Sequence, residues 1–417
     1  LYAIERAANS DDRLRNLYNH HGARTGRPTG MGAQPTNMPK AGPDLRWDSS
    51  GRPFGRHLSH SPWTGEPAEA CKETKWRADA VDHAVEVVAT RDRETVEHIF
   101  GDALLTISGC MRGMFVAGPG CDLIASDYTA IEAVVAAAIS GEQWRLDAFE
   151  RGDDIYLASI GRSKGVPLQY YLDYAEQQGA HHPDRHHGKI QELALGYGGW
   201  IGALRAFGAE GSDDELKQQV IAWRDASPNL VEMWGGQGRG FPGSWRYVPE
   251  LYGMEGAFVA AIQNPSRVFD VRGFKFYMRG DALILRLLSG RELTYHEPRL
   301  YPSSRRDGEF AISYMTWNSN PKMGAPGWVR MDTYGPKIFE NAVQATAHDI
   351  QRYGITNLTR AGYSVVLHVY DEDVAEVPVG FGSVEEFERI MATRPPYAAT
   401  WPIRAAGGYR AKRYRKG

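Results

Sequence analysis

The run CDLIASDYTAIE, from Cys121 to Glu132, constrains this chain more than any other stretch. Leu123, Ile124 and Ala125 follow the breaker Gly118-Pro119-Gly120, and so short an apolar run suits a buried strand better than a helix. After Tyr128 the spacing changes. Ile131, Val134, Val135 and Ala138 recur at three and four residues, which predicts an amphipathic helix ending near Ser140-Gly141. Asp127 therefore sits where a strand gives way to a helix. An acid in that place is well set to hold a metal ion, but the same place suits an Asp that only caps or turns.

Composition narrows the choice of partners. The 417 residues allow two or three subdomains, and 42% hydrophobic with 24% charged residues is ordinary for a globular protein. A net charge of -3 argues against coating nucleic acid through bulk charge, yet leaves room for a local basic cleft. Cys71, Cys110 and Cys121 have neither CxxC spacing nor a paired His framework, so no structural zinc site or disulfide scaffold is indicated and a reducing compartment is expected. No apolar run approaches the roughly 20 residues that span a bilayer, and the first residues lack a signal-peptide pattern, so a soluble cytoplasmic protein without a membrane partner is expected.

Residues 1 to 60 are rich in Arg, His, Asn, Gly and Pro, a composition that cannot build a core by itself. The segment reads either as a surface loop or as a track along a phosphate backbone, with Arg24, Arg27 and Lys40 as charge partners and Gln34 and Asn37 as hydrogen-bond donors. Helical spacing runs from Asp79 to Phe100 and from Ala103 to Met114, where Arg112 is either a surface charge or faces the same cleft. After Pro183-Asp184, a helix start, Arg185, Lys189, Leu193 and Tyr197 fall at four-residue steps. Two cations, an apolar residue and an aromatic in that order suit a nucleotide, the cations meeting phosphates and Leu193 and Tyr197 lying under sugar and base. The alternative is a helix with solvated cations and core Leu and Tyr.

Helical patterns with Gly/Pro breaks are expected from about Asp213 to Met278, strands within Arg286 to Trp317, and a helix from Asn341 to Tyr353. The segment from Tyr363 to Pro378 predicts a hairpin: Val365 to Val369 out, Asp371-Glu372 as the turn, Val374 to Val377 back. The run Arg404 to Lys416 reads as a basic tail, solvated or touching phosphates.

Asp127 at a strand end and Asp371 at a hairpin tip could together hold two divalent cations about 3.5 to 4 Å apart, as in-line phosphoryl transfer requires. In order along the chain, these motifs resemble the family A DNA polymerases, and more narrowly their bacteriophage branch. DYTAIE is similar to the first motif, with its metal-binding Asp127 and sugar-gating Glu132. RHHGKIQELALGYGG resembles the nucleotide-binding helix, with Arg185, Lys189 and Tyr197 at the family's spacing. YDE is similar to the third motif, with Asp371 as second metal ligand and Glu372 as accessory acid. RTGRPTG and QPTNMP resemble the template-primer segment, and Gln344 in QATAHD matches a Gln that touches DNA.

The resemblance implies an α+β protein of right-hand polymerase architecture, an antiparallel palm sheet with a mainly helical fingers subdomain. It implies an N-terminal palm part over 1–139, fingers over 140–265 and a C-terminal palm part over 266–417. The implied reaction is addition of deoxynucleotides to a primer 3′ end, in phage DNA replication. Two Mg²⁺ would bind Asp127, Asp371 and the Tyr128 carbonyl. Arg185 and Lys189 would hold the deoxynucleoside triphosphate, Lys189 also protonating pyrophosphate, while Glu132, Leu193 and Tyr197 shape its pocket. Arg24, Arg27, Gln34, Asn37, Gln344 and Tyr370 would touch primer-template DNA.

Two positions depart from the family's pattern: Tyr370 where His is common, and Leu193 where Phe or Tyr is usual. A thumb and a proofreading exonuclease are expected outside these residues, in further sequence or a partner chain, and DNA retention by this chain alone is expected to be weak. The rival functions are a two-metal nuclease, which needs the carboxylates but not the Arg-Lys-Tyr helix, and a polymerase-derived DNA-binding subunit without synthesis activity.

Overall fold

In a computed structural model describing residues 6–39, 41–235, 253–302, 310–318 and 324–415, the strand through Asp127 runs from Cys121 to Tyr128 (β1). Its middle residues, Leu123 to Ser126, are all buried, as befits a central strand covered on both faces. At Thr129-Ala130 the chain turns. Ala130 has a φ of 47°, left-handed backbone that a side chain resists, and the next helix, Ile131–Ser140 (α1), starts directly after it. The helix stops at Gly141, whose φ of 72° supplies the left-handed cap. It is buried on nearly every side rather than along one stripe, because its alanines let neighbouring helices approach closely.

β1 is one of four antiparallel strands. Ser364–Val369 (β2) and Glu372–Pro378 (β3) form the predicted hairpin, and Ala405–Ala411 (β4) closes the sheet, in the spatial order β2-β3-β1-β4. The basic-tail expectation for the C-terminal residues is thus corrected: Ala405 to Ala411 pair with β1 from Tyr128 to Leu123. Lys40 and Lys416 lie outside the described residues.

Two helices pack against this sheet, Gly335–Arg360 and Val384–Met391. The first outruns the expected Asn341 to Tyr353 at both ends, with Pro336 in its first turn where a missing N–H costs nothing. Its Gly354 is required by a close approach. A Cβ there would come within 2.1 Å of the Tyr128 hydroxyl, which instead donates to the Met391 carbonyl at 2.8 Å and pins the end of β1.

A second antiparallel sheet is a six-stranded meander from Phe269–Val271 through Phe274–Arg279, Ala282–Arg286, Glu292–Pro302 and Phe310–Asn318 to Gly327–Thr333. Its first two strands replace the helical reading of the residues up to Met278. The helical part, from Gln143 to Trp234, includes Asp184–Leu195 (α2), the helix foreseen after Pro183. A smaller unit with its own core joins the strands Leu45–Trp47, Pro53–Gly55 and Lys72–Thr74 to three helices, Ala78–Ala89, Arg93–Phe100 and Ala103–Cys110. The single helical stretch read from Asp79 to Phe100 is therefore two helices, broken at Thr90 to Asp92. The mixed helix and antiparallel-sheet expectation holds.

Candidate functional site

The two predicted acids meet through sheet register. Asp127 lies opposite Glu372 across the β1–β3 ladder, and the Tyr128 N–H donates to the Asp371 carbonyl at 3.1 Å. Asp371 and Asp127 thus sit on adjoining strand ends, although 244 positions separate them in sequence (371 − 127). The hairpin turn is Tyr370-Asp371 rather than Asp371-Glu372. Tyr370, at a φ of 58°, takes the left-handed position and is half exposed.

Glu372 is therefore not a tip residue. It opens β3, is buried, and its Oε2 accepts from the Tyr414 hydroxyl at 2.6 Å. Arg112, left open by the sequence, lies deep in the protein. It donates to the Tyr414 oxygen at 2.8 Å and to the carbonyls of Met38 and Pro39 at 2.9 and 3.0 Å. A buried chain of donors so runs from the end of the N-terminal segment to the third motif.

Asp373, which the sequence gave no reason to single out, is wholly buried. Burial pushes its pKa well up, and the acids Asp371, Glu372 and Asp127 push the same way. Gln351 donates to its Oδ1 at 2.9 Å, while Oδ2 has no hydrogen-bond partner. In the hairpin pattern it looks like one more alternating polar residue.

A cavity of about 390 Å³ opens beside these acids, with Arg27, Glu132, Leu193, Tyr197, Tyr370 and Asp371 in its wall. Leu193 is 48% exposed on α2, and Tyr197 lies two residues past the helix end rather than on it. The Tyr197 hydroxyl donates to Glu132 Oε2 at 3.2 Å. Burial first, and then the Glu132 charge, raise the Tyr197 phenol well above its usual pKa, so it stays a donor.

Neither cation of α2 lines this cavity. Arg185 is paired through Nε with Asp154 Oδ2 at 2.5 Å and lies over the Tyr156 ring at 5.3 Å. Its terminal nitrogens make no hydrogen bond among the described residues. Lys189 is exposed and forms no ion pair among the described residues.

A buried pair beneath Leu193 was not legible in the sequence. Arg145 grips Glu192 with Nη1–Oε2 at 2.6 Å and Nη2–Oε1 at 2.9 Å, and Trp223 Nε1 donates to the same carboxylate at 2.7 Å. Burial alone would raise the Glu192 pKa, but Arg145 and the hydrogen bonds outweigh it and hold it below the ordinary value. No motif spacing points to such a pair, since each residue reads as a solvated helix charge.

The N-terminal residues divide. Arg27 Nη1 lies 2.6 Å from Glu132 Oε1, inside the cavity. Arg24 turns into the protein, its guanidinium 4.5 Å from the Tyr314 ring centre and donating to Thr316 Oγ1 at 2.9 Å. Gln34 and Asn37 are exposed and bonded to each other at 2.7 Å. Gln344, on the helix Gly335–Arg360, donates to Glu340 at 3.3 Å.

The donors fit a hard cation. Two carboxylates and a main-chain carbonyl at Tyr128, whose side chain points away to Met391, suit Mg²⁺, which binds one or two protein carboxylates and completes its shell with water and phosphates. Among the described residues, no group of three or more His, Cys, Asp and Glu is arranged to hold a metal. Nor is any described helix long and apolar enough to cross a membrane.

No family model matches the sequence. Among curated proteins, the DNA polymerase of Bacillus phage SP02 is 31% identical over 409 residues, covering 97% of this chain and 53% of that protein. DNA polymerase I of Chloroflexus aurantiacus is 29% identical over 162 residues, 38% of this chain and 15% of that protein. The DNA polymerase of Mycobacterium phage D29 is 28% identical over 200 residues, covering 44% and 28% respectively. In structure, the POL domain of Pol1 from M. smegmatis, solved with DNA primer-template and dNTP, matches with a TM-score of 0.53 at 17% identity, covering 99% of this chain and 50% of that one. The chain spans about half the length of the SP02 protein and less of the other two.

Proposed function

We infer, from the premise that this chain belongs with the family A DNA polymerases, that it is the palm and fingers core of a DNA-templated DNA polymerase acting in phage replication. The observation that carries this is the meeting of Asp127 and Asp371 at adjoining strand ends beside a cavity walled by Glu132, Leu193 and Tyr197. A nuclease needs the acids but not the helix that carries Arg185 and Lys189 toward Leu193 and Tyr197.

In this reading the palm is formed by residues 1–139 and 266–417 and the fingers by 140–265. Asp127, Asp371 and the Tyr128 carbonyl would hold two Mg²⁺, which would supply charge stabilisation to the attacking and leaving oxygens. The residues of the chain do the rest. Lys189 and the terminal nitrogens of Arg185 meet the triphosphate of the incoming nucleotide, and Asp154 keeps the Arg185 fork aligned. Lys189, exposed and within reach of solvent, gives a proton to the leaving pyrophosphate. Leu193 and Tyr197 lie under base and sugar, and Glu132 excludes a 2′-hydroxyl. Tyr370 and Gln344 face the primer-template, with Gln34 and Asn37 contributing from the N-terminal segment, whereas Arg24, packed on Tyr314 and Thr316, and Arg27, paired with Glu132, are drawn away from it. Glu372 acts from below the surface, fixing the β3 end that carries Asp371.

The primer-template and dNTP are partners by likeness to the M. smegmatis POL domain, and the host cytoplasm is where a phage enzyme of this kind would work. We also propose that a thumb and exonuclease are supplied by polypeptide outside these 417 residues. Primer extension with Mg²⁺ and four dNTPs tests the central reading: Asp127→Ala is expected to abolish extension while duplex binding in an anisotropy assay changes little. Extension that survives in Asp127→Ala, or nucleotide release by the wild-type chain without any extension, would reject it.

A further inference from the structure

Glu132 is held at both oxygens by residues from opposite ends of the site. Tyr197, just past α2, donates to Oε2, and Arg27, from the N-terminal segment, meets Oε1 at 2.6 Å. The Arg27 side chain is 24% exposed and that of Glu132 30%, so the pair is largely out of water and only weakly screened. The second arginine of the same segment, Arg24, is committed elsewhere, against Tyr314 and Thr316.

A carboxylate can exclude a sugar hydroxyl only if it stays in one place. Glu has three rotatable bonds, and a single bond from Tyr197 to one oxygen leaves the group free to swing about that contact. A guanidinium on the other oxygen removes this freedom, because its planar fork meets the carboxylate in a fixed geometry.

Resting on the polymerase reading, we propose that Arg27 is a positioning residue for sugar selection: it fixes the Glu132 carboxylate in the nucleotide pocket, so that the choice of deoxyribose over ribose depends on Arg27 as well as on Glu132. Arg27 acts through Glu132 and Tyr197 completes the clamp. The N-terminal segment, which by composition reads either as a surface loop or as a phosphate track, is thereby part of the substrate filter.

Single-nucleotide insertion on a primer-template, with kcat and KM measured for a dNTP and its matching rNTP, tests this in Arg27→Ala, Arg27→Lys, Glu132→Ala and the double variant Arg27→Ala/Glu132→Ala. Arg27→Ala is expected to narrow the dNTP:rNTP ratio of kcat/KM by about ten-fold or more, chiefly through a lower KM for the rNTP. Arg27→Lys should recover part of the ratio, and the double variant should discriminate no worse than Glu132→Ala alone. The proposal is overturned if Arg27→Ala lowers kcat/KM for both nucleotides by the same factor, or if the two losses multiply in the double variant. Should Arg27→Ala not fold, Arg27→Lys against Glu132→Gln makes the same comparison. A wild-type chain that inserts neither nucleotide defeats the polymerase reading itself, whereas an unchanged ratio in a working enzyme defeats only the role of Arg27.

Discussion

The Tyr414 hydroxyl donates to Glu372 Oε2 at 2.6 Å, with both residues 1% exposed. The contact joins the last described turn of chain to the hairpin that carries Asp371, and Arg112 extends it to Met38 and Pro39. A buried carboxylate that loses a donor, beside an arginine that loses an acceptor, costs about 1–3 kcal/mol.

Tyr414→Phe is accordingly expected to lower unfolding stability by roughly 1–3 kcal/mol, read from the urea midpoint at constant slope. Primer extension should slow through kcat, because the β3 end is less firmly placed. A variant with wild-type stability and rate would show that the chain of donors is idle.

Arg145→Ala leaves the Glu192 carboxylate in a buried site without its bidentate partner. Removing one member of such a pair costs about 3–5 kcal/mol. The expected readouts are a large drop in the denaturation midpoint and a raised KM for the nucleotide, since Leu193 stands on the same helix. The double variant Arg145→Met/Glu192→Leu, which removes both charges, should regain most of the stability.

His348 is buried on the helix Gly335–Arg360, and burial first, then the nearby Arg291 charge, lowers its pKa from 6.5 to about 3. The folded protein therefore resists protonating it while the unfolded chain does not. The sign follows: this contribution is fully present above about pH 6.5 and is lost as pH falls toward 3. Between pH 7 and pH 5 it removes about 2 kcal/mol. His348→Gln should flatten the stability profile over that window by a similar amount, and a profile of unchanged slope would contradict it.

Much of the site was legible because it is carried by short local patterns. The strand-to-helix change around Asp127 and the Val-rich hairpin around Asp371 each announce themselves within ten residues or so. What failed to show was whatever depends on register between distant segments. Glu372 reads as a turn acid until β3 pairs with β1 and draws it inside. The residues Ala405 to Ala411 contain Gly407-Gly408 and Arg410, which hide a strand under a basic composition. The meander strands Phe269–Val271 and Phe274–Arg279 are too short to outweigh the helical spacing before them, although Arg272-Gly273 marks their turn. Arg24 and Arg27 are alike in sequence and opposite in fate, one packed on an aromatic ring and the other inside the cavity.

The central strand β1 is bonded on one side to β3 and on the other to β4, which spans Ala405–Ala411. During synthesis from the N-terminus, Asp127 therefore emerges long before either neighbour exists. The Asp127 end of the strand cannot be completed until almost all of these residues have left the ribosome, and an apolar strand must wait unpaired meanwhile. A nascent chain stalled short of β4 should be inactive and prone to aggregate, so activity arrives in one late step rather than growing with chain length.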